Sequence, residues 1–284
     1  MKTLQINKYQ LLNFYKGAAI HLFLLSVTVT CLFPLFWMVR SALMTKEAIF
    51  TDKSFFPAVM QWGNFYHAWV EGNFGTYFFN SVFYTVSVVA GIVLISSLAA
   101  YAFSRLQFPF KNFFFFMFVA AMMIPLPGSF VPLVTTMNFL GLINTRVGYM
   151  LCMVNVGLSL SILLLKTFFD KMPPDLEDAA RIDGCGRLGI WRHVALPLAR
   201  PAIAVVVIFN SLNVWNEFIL ANLLLSDDKL MTLQTGLFKF QGPNLANYPV
   251  LMAGLTIAAA PIIVIYLLMQ KHIVKGLSSG AIVG

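Results

Sequence analysis

Charge is what this chain has least of. Asp, Glu, Lys and Arg make up 11% of its 284 residues, where soluble globular chains carry about 25%. Hydrophobic residues make up 59%. A soluble core has no use for that much apolar surface, so the bilayer must be part of the solvent. Cysteine is scarce too. Cys31 and Cys152 lie inside apolar runs and Cys185 in a polar stretch. The number is odd and no two stand at a short metal-ligand spacing, which speaks against a disulfide framework or a zinc site. The four histidines, His21, His67, His193 and His272, are far apart in sequence, so neither a metal set nor a catalytic triad is legible. The pattern Gly-x-x-x-x-Gly-Lys-Ser/Thr, whose amides cradle phosphates, is also missing.

The surplus charge is basic, at +8. Gathered in a stripe, it would suit nucleic acid. Here the lysines and arginines are scattered at the ends of apolar runs, as topology signals are, so no nucleic-acid partner is expected. Six runs reach the roughly 20 residues that a helix needs to cross the hydrocarbon. They cover about 17–39, 80–103, 112–134, 147–168, 202–225 and 249–270. Each must be helical, because lipid satisfies no backbone N–H or C=O. The first run is too long for a signal-peptide core and lacks a small-residue cleavage site, so it is read as a retained span. With the N-terminus inside, thirteen lysines and arginines fall on inside segments and six on outside ones. That excess favours both termini in the cytoplasm. The expectation is an all-α membrane protein of six transmembrane helices in one domain, 1–284.

Two of the outside loops differ in kind. Residues 41–79 are long and mixed, and read as short amphipathic pieces along the membrane surface. Residues 226–248 carry Gly236, Gly242 and Pro243 and read as a projecting loop.

Two runs are irregular. The third contains Pro125, Pro127 and Gly128, which remove or weaken intrahelical hydrogen bonds at membrane depth. The fifth contains Asn210, Asn213, Asn216 and Glu217. Asn210, Asn213 and Glu217 fall at i, i+3 and i+7 and so share one helical face. Both features point to a translocation path. For the asparagines, polar glue between helices is the other reading. A carboxylate inside a span is costly and faces a cavity or a partner, so for Glu217 a gating role stands beside a structural hydrogen bond.

The most charged stretch is 169–200, on the basic side. Pro173 and Pro174 end the fourth span. Asp175 is placed to cap a short helix, with Asp178 three residues on. Gly184 and Gly186 break that helix, and a second one, about 188–195, is expected to stop at Leu196-Pro197. Such an elbow is either a docking element or a solvated loop.

The stretch resembles the EAA loop of ABC-importer permeases, whose pattern is Glu-Ala-Ala, three residues, Gly, nine residues, Ile, one residue, Leu-Pro. Here it reads Asp178-Ala179-Ala180, Gly184, then Val194-Ala195-Leu196-Pro197. Every interval matches, with Asp in place of Glu and Val in place of Ile. The sequences Ala179-Ala180-Arg181-Ile182-Asp183-Gly184 and Trp215-Asn216-Glu217-Phe218, with the short tail from Lys275, are similar to the carbohydrate importers of the maltose type. The chain resembles the shorter second permease of that pair, and the resemblance implies the type I importer fold.

The resemblance further implies a heterodimer with a second permease, two ATPase subunits, an extracytoplasmic solute-binding protein, and a bacterial or archaeal cytoplasmic membrane. This chain would hold no cofactor; ATP and Mg would sit on the partner ATPase, and the chain itself would not be an enzyme. The ATPase would be met by Asp178, Ala179, Ala180, Gly184, Cys185, Gly186, Arg187, Ile190, Leu196 and Pro197. Leu237, Phe238, Lys239, Phe240 and Gln241 would reach the binding protein. Ser279, Gly280 and Gly284 in the tail would touch the ATPase interface. The implied cargo is a sugar or oligosaccharide, with glycerol-3-phosphate or a polyol as the alternative. A secondary transporter would need ionisable groups within the membrane, and Glu217 alone is thin material for one.

Overall fold

A computed structural model describes the backbone of residues 8–124, 126–239 and 247–281, and the side chains of 15–124, 128–238 and 247–267. Pro125, Phe240, Gln241 and Gly284 lie outside the described residues. So do the side chains of Pro127, Lys239 and Ser279, as does any side-chain detail around Gly280. Among the described residues every regular element is helical.

The elements in chain order are α1 (Lys8–Ala42), α2 (Ala48–Thr51), α3 (Gly63–Tyr66), α4 (Phe74–Arg105), α5 (Lys111–Ala121), α6 (Leu126–Phe139) and α7 (Arg146–Asp170). There follow α8 (Asp175–Ile182), α9 (Arg187–Ile190), α10 (Leu196–Leu198), α11 (Arg200–Asn216), α12 (Ile219–Leu224), α13 (Leu233–Lys239) and α14 (Tyr248–Ala281). Single π turns follow α3 and α9. Four helices, within α1, α4, α7 and α14, are each long and apolar enough to cross a membrane, and a bent pair ending in α11 makes a fifth. The third and fifth apolar runs are not continuous. The third breaks between α5 and α6, where the prolines withdraw N–H donors. The fifth breaks between α11 and α12.

The chain divides into two compact units, 1–71 with 243–257 and 72–242 with 258–284. In the first unit the described apolar face of α1 lies exposed along its length. Its last turn carries Arg40, which is buried. That guanidinium donates to the carbonyls of Ser54 and Asp52 at 2.7 and 2.9 Å and stacks over Trp37 at 4.5 Å. Asn64 donates to the carbonyl of Ala42, an acceptor that the end of α1 leaves without an intrahelical partner, and to that of Met44 just beyond the helix. The segment after α1 is thus folded back on the helix end.

In the second unit α4 and α7 pack along their lengths, and α11 lies against both. Tyr84 and Tyr149 meet edge to face at 4.9 Å, and Tyr101 meets Phe169 at 6.0 Å. These are fully or nearly buried rings, and aromatic pairs of this geometry stabilise beyond their area. Helix α7 starts on Thr145, whose side chain accepts from the N–H of Gly148, an orphan donor of the first turn.

Candidate functional site: the elbow, the strap and the broken span

Helix α8 begins on Pro174, not on Asp175 as the capping pattern predicts. The carbonyl of Pro174 takes the N–H groups of Glu177 and Asp178 at 2.9 and 3.1 Å, and Asp175 moves inside the first turn. Asp175, Glu177 and Asp178 all lie there, where the helix dipole favours negative charge. The helix ends as expected at Gly184, in the left-handed region with φ +82°. The N–H of Cys185 reaches the carbonyl of Ala180, and that of Gly184 reaches Arg181. This pair of bonds closes a helix on a left-handed residue, which glycine adopts without a Cβ penalty. Gly186, in extended backbone, then caps α9.

The second arm does not stop at Leu196-Pro197. It runs on through the π turn Trp191–Ala195 and α10, then bends by 78° into α11. Pro197 lies in α10, directly after the π turn and just before the bend.

The elbow sorts its apolar residues sharply. Ile190 is only 1% exposed and Ala180 is buried, so neither has surface to offer a partner; both belong to the buried core that also holds Leu165, Phe169 and Met172. Ile182 and Leu188, on either side of the glycines, are 86% and 71% exposed. Asp178 is exposed and pairs with Arg181 at 2.9 Å. Glu177 is buried and meets Arg105 at 3.0 Å.

At the other end of the unit, residues 226–239 do not project freely. Asn80 donates to the carbonyls of Lys229 and Met231, Tyr84 to that of Leu230, and Ser81 accepts from the N–H of Leu233. Asn144, left-handed at φ 57°, accepts from the N–H groups of Ser226 and Asp227, both at 2.9 Å. The segment is a strap fastened to α4. Gly236 permits the contact, since a Cβ there would meet the Tyr77 ring at 2.2 Å. Leu237, within the strap, is buried, so against its expected role it offers no surface to a binding protein in this conformation. Phe238 is exposed and leans on Phe218 at 4.9 Å.

Residues 91–279 match the family described as the inner membrane component of binding-protein-dependent transport systems. The chain belongs to this family. The permease is 35% identical to the probable ABC transporter permease protein YurM of Bacillus subtilis (strain 168), over 94% of this chain and 88% of that one. It is 31% identical to the diacetylchitobiose uptake system permease protein NgcG of Streptomyces coelicolor, over 93% of this chain and 88% of that one. It is 30% identical to the melibiose/raffinose/stachyose import permease protein MelC of Bacillus subtilis, over 92% and 95%. A chain in the crystal structure of a bacterial ABC transporter that imports the acidic polysaccharide alginate superposes with a TM-score of 0.79 at 22% identity, covering 95% of this chain and 99% of that one. That likeness establishes the fold as that of an importer permease. Members of this family are transport components that work with an ATPase and a solute-binding protein, not enzymes.

The broken fifth run rearranges the residues read as a path. Asn210 is buried and donates to Ser161 Oγ at 2.9 Å and to the Val206 carbonyl at 2.8 Å, so in this conformation it is glue between α11 and α7. Asn213 and Asn216 are exposed on α11. Glu217 does not share their face, because α11 ends at Asn216. Its backbone turns extended, with ψ 128°, and its carboxylate accepts the N–H groups of Leu220 and Ala221 at 2.6 and 2.9 Å. Tyr149 donates to it at 3.5 Å. The carboxyl group is therefore held on the first turn of α12.

Glu217→Leu is expected to lower stability by about 1–2 kcal/mol, the worth of a lost N-terminal cap. Glu217→Gln, which keeps an acceptor, should lose less. Thermal unfolding of the detergent-purified permease complex checks the order.

Four residues are not singled out by the motifs. Ile182 stands inside the Ala179–Gly184 stretch and Leu188 within the elbow; their signal is that of isolated large apolar residues in a charged loop. Arg105 and Glu177 carry a weaker one, as an arginine at a span end and an acid beside the motif.

Proposed function

We propose that the permease is one half of a heterodimeric importer for an oligosaccharide or a similar glycoside. It crosses the membrane six times with both termini in the cytoplasm. Four crossings are the continuous helices, α5 with α6 makes another, and α11 with α12 makes the sixth. The elbow enters a cleft on the ATPase. The observation that carries this is the pair Ile182 and Leu188, large apolar side chains exposed around a left-handed glycine on an otherwise charged loop. Isolated apolar tips on a rigid elbow suit a protein groove. Gly184, Cys185, Gly186 and Arg187 form the tip between them, and Asp178 faces a basic group of the ATPase in competition with Arg181. Asn213 and Asn216 face the path. Phe238 and the residues after it approach the binding protein, and the tail from Ser279 to Gly284 lies at the ATPase interface.

The substrate class rests on the relatives, two of which are named for the uptake of diacetylchitobiose and of melibiose, raffinose and stachyose. The test is calorimetric binding to the cognate solute-binding protein of a panel spanning those sugars, maltotriose and glycerol-3-phosphate. Saturable binding of an oligosaccharide is expected. Binding of glycerol-3-phosphate alone would assign the machine to polyol phosphates.

A further inference from the structure

We infer that the buried pair Arg105–Glu177 is a strut that carries movement of the elbow into α4 and α7, a step that rests on the docking of the elbow to an ATPase. Arg105 is the last residue of α4. Its guanidinium lies 3.0 Å from Glu177 Oε1, in the first turn of α8, with the two side chains 14% and 5% exposed. The contact is charge against charge rather than an aligned hydrogen bond. The same guanidinium donates to the carbonyls of Phe169, at 2.6 Å, and of Met172. Those carbonyls belong to the last turn of α7 and the residues just beyond it, where acceptors lack intrahelical partners and the dipole favours a cation. One side chain therefore joins the ends of α4 and α7 to the start of α8.

Without it, α8 hangs from α7 by a short segment. Pro173 and Pro174 supply no N–H there, so the helical ladder cannot run across. Apolar contacts through Met172 and Ala180 remain, but such contacts are non-directional and allow sliding. The guanidinium donates to two carbonyls from one nitrogen and lies 3.0 Å from the carboxylate at another, so the planar group is a fixed spacer between the three helix ends. Buried ion pairs contribute little to stability, since apolar pairs of similar size often replace them without loss. Here the pair joins the start of α8 to the ends of both core helices, while the second arm touches α4 through its π turn. The other arm is covalent, through α10 and the 78° bend into α11. The strut thus gives the elbow a second output, so that α4 and α7 move with α11.

The test uses the assembled transporter, co-purified with its ATPase, and follows hydrogen–deuterium exchange before and after trapping with ATP and vanadate. In the parent complex, trapping should change exchange in the elbow and in α4 and α7. Arg105→Leu with Glu177→Leu leaves no unpaired buried charge, so assembly, melting temperature and the elbow's response should persist. The response of α4 and α7 should fall about fivefold or more, the lower range of coupling between sites. If that double variant does not assemble, Glu177→Gln is read instead; Arg105 keeps both carbonyls and the response of α4 and α7 should still fall. An unchanged response of α4 and α7 in the variant that assembles overturns the strut while leaving docking intact. An elbow that does not respond in the parent complex overturns docking itself.

Discussion

Ile182→Asp combined with Leu188→Asp should strip the ATPase from the permease while leaving the permease in the membrane. The two side chains are 86% and 71% exposed, so their replacement disturbs no core. They flank Gly184, whose left-handed backbone sets the angle between α8 and α9. Burying one such side chain in a partner's groove stabilises the complex by about 1.5–3 kcal/mol. Losing both removes roughly 3–6 kcal/mol, which weakens docking by two to four orders of magnitude. Aspartate adds the cost of burying a carboxylate without a partner. Single substitutions should fall between. The check is co-purification of the ATPase with a tagged permease, alongside the amount of permease in the membrane. Native amounts of ATPase on the double variant would remove the elbow from the list of docking elements.

Asp178→Asn makes an instructive contrast. Its partner within the loop is Arg181, and both are largely exposed, so the pair adds little to the fold. Any effect of that change on ATPase binding reports the interface, not the stability of α8.

The helical architecture was legible because lipid leaves so few choices. Long apolar runs must be helices, and four of the six correspond to single helices that pass as spans. The breaks were half legible. Pro125 and Pro127 announced the gap between α5 and α6, because a missing donor is a property of the residue. The gap after Asn216 was not announced by any breaker. There Glu217 gives its carboxylate to the start of α12, a local cap by a residue that periodicity reads as part of a continuous face. The elbow's spacing gave its two helices and its glycine turn. It did not tell which residues point outward, since Ile182 and Ile190 are alike in type and opposite in exposure. The strap misled for a related reason. Glycine, proline and polar residues mark a loop, but only Asn80, Ser81, Tyr84 and Asn144, which lie far away in sequence, decide that it is tied down.

A large effect on folding is expected at Gly157, where α7 lies against both α4 and α11. A Cβ there would meet Ile92 Cδ1 at 2.3 Å and Asn210 Oδ1 at 2.4 Å. The end of the isoleucine can swing aside. The amide cannot do so without loss, because it is buried and bonded to Ser161 and to the Val206 carbonyl. For Gly157→Ala, overpacking costs about 1–3 kcal/mol, and a displaced buried amide costs a further 1–3 or so. The gain in helix propensity returns about 1 kcal/mol. The net is a loss of roughly 1–5 kcal/mol, set against total stabilities of about 5–15 kcal/mol in ordinary domains. Gly157→Val adds two carbons more than alanine at the same crowded point and should prevent accumulation in the membrane. Gly91→Ala is the control, since its Cβ would meet only Val154 Cγ2, at 3.3 Å, across the same pair of helices. Thermal unfolding in detergent should rank the variants with Gly91→Ala near the parent, Gly157→Ala well below it and Gly157→Val lowest. Equal melting of the two alanine variants would mean that α11 does not lie on α4 and α7 as closely as Asn210 requires.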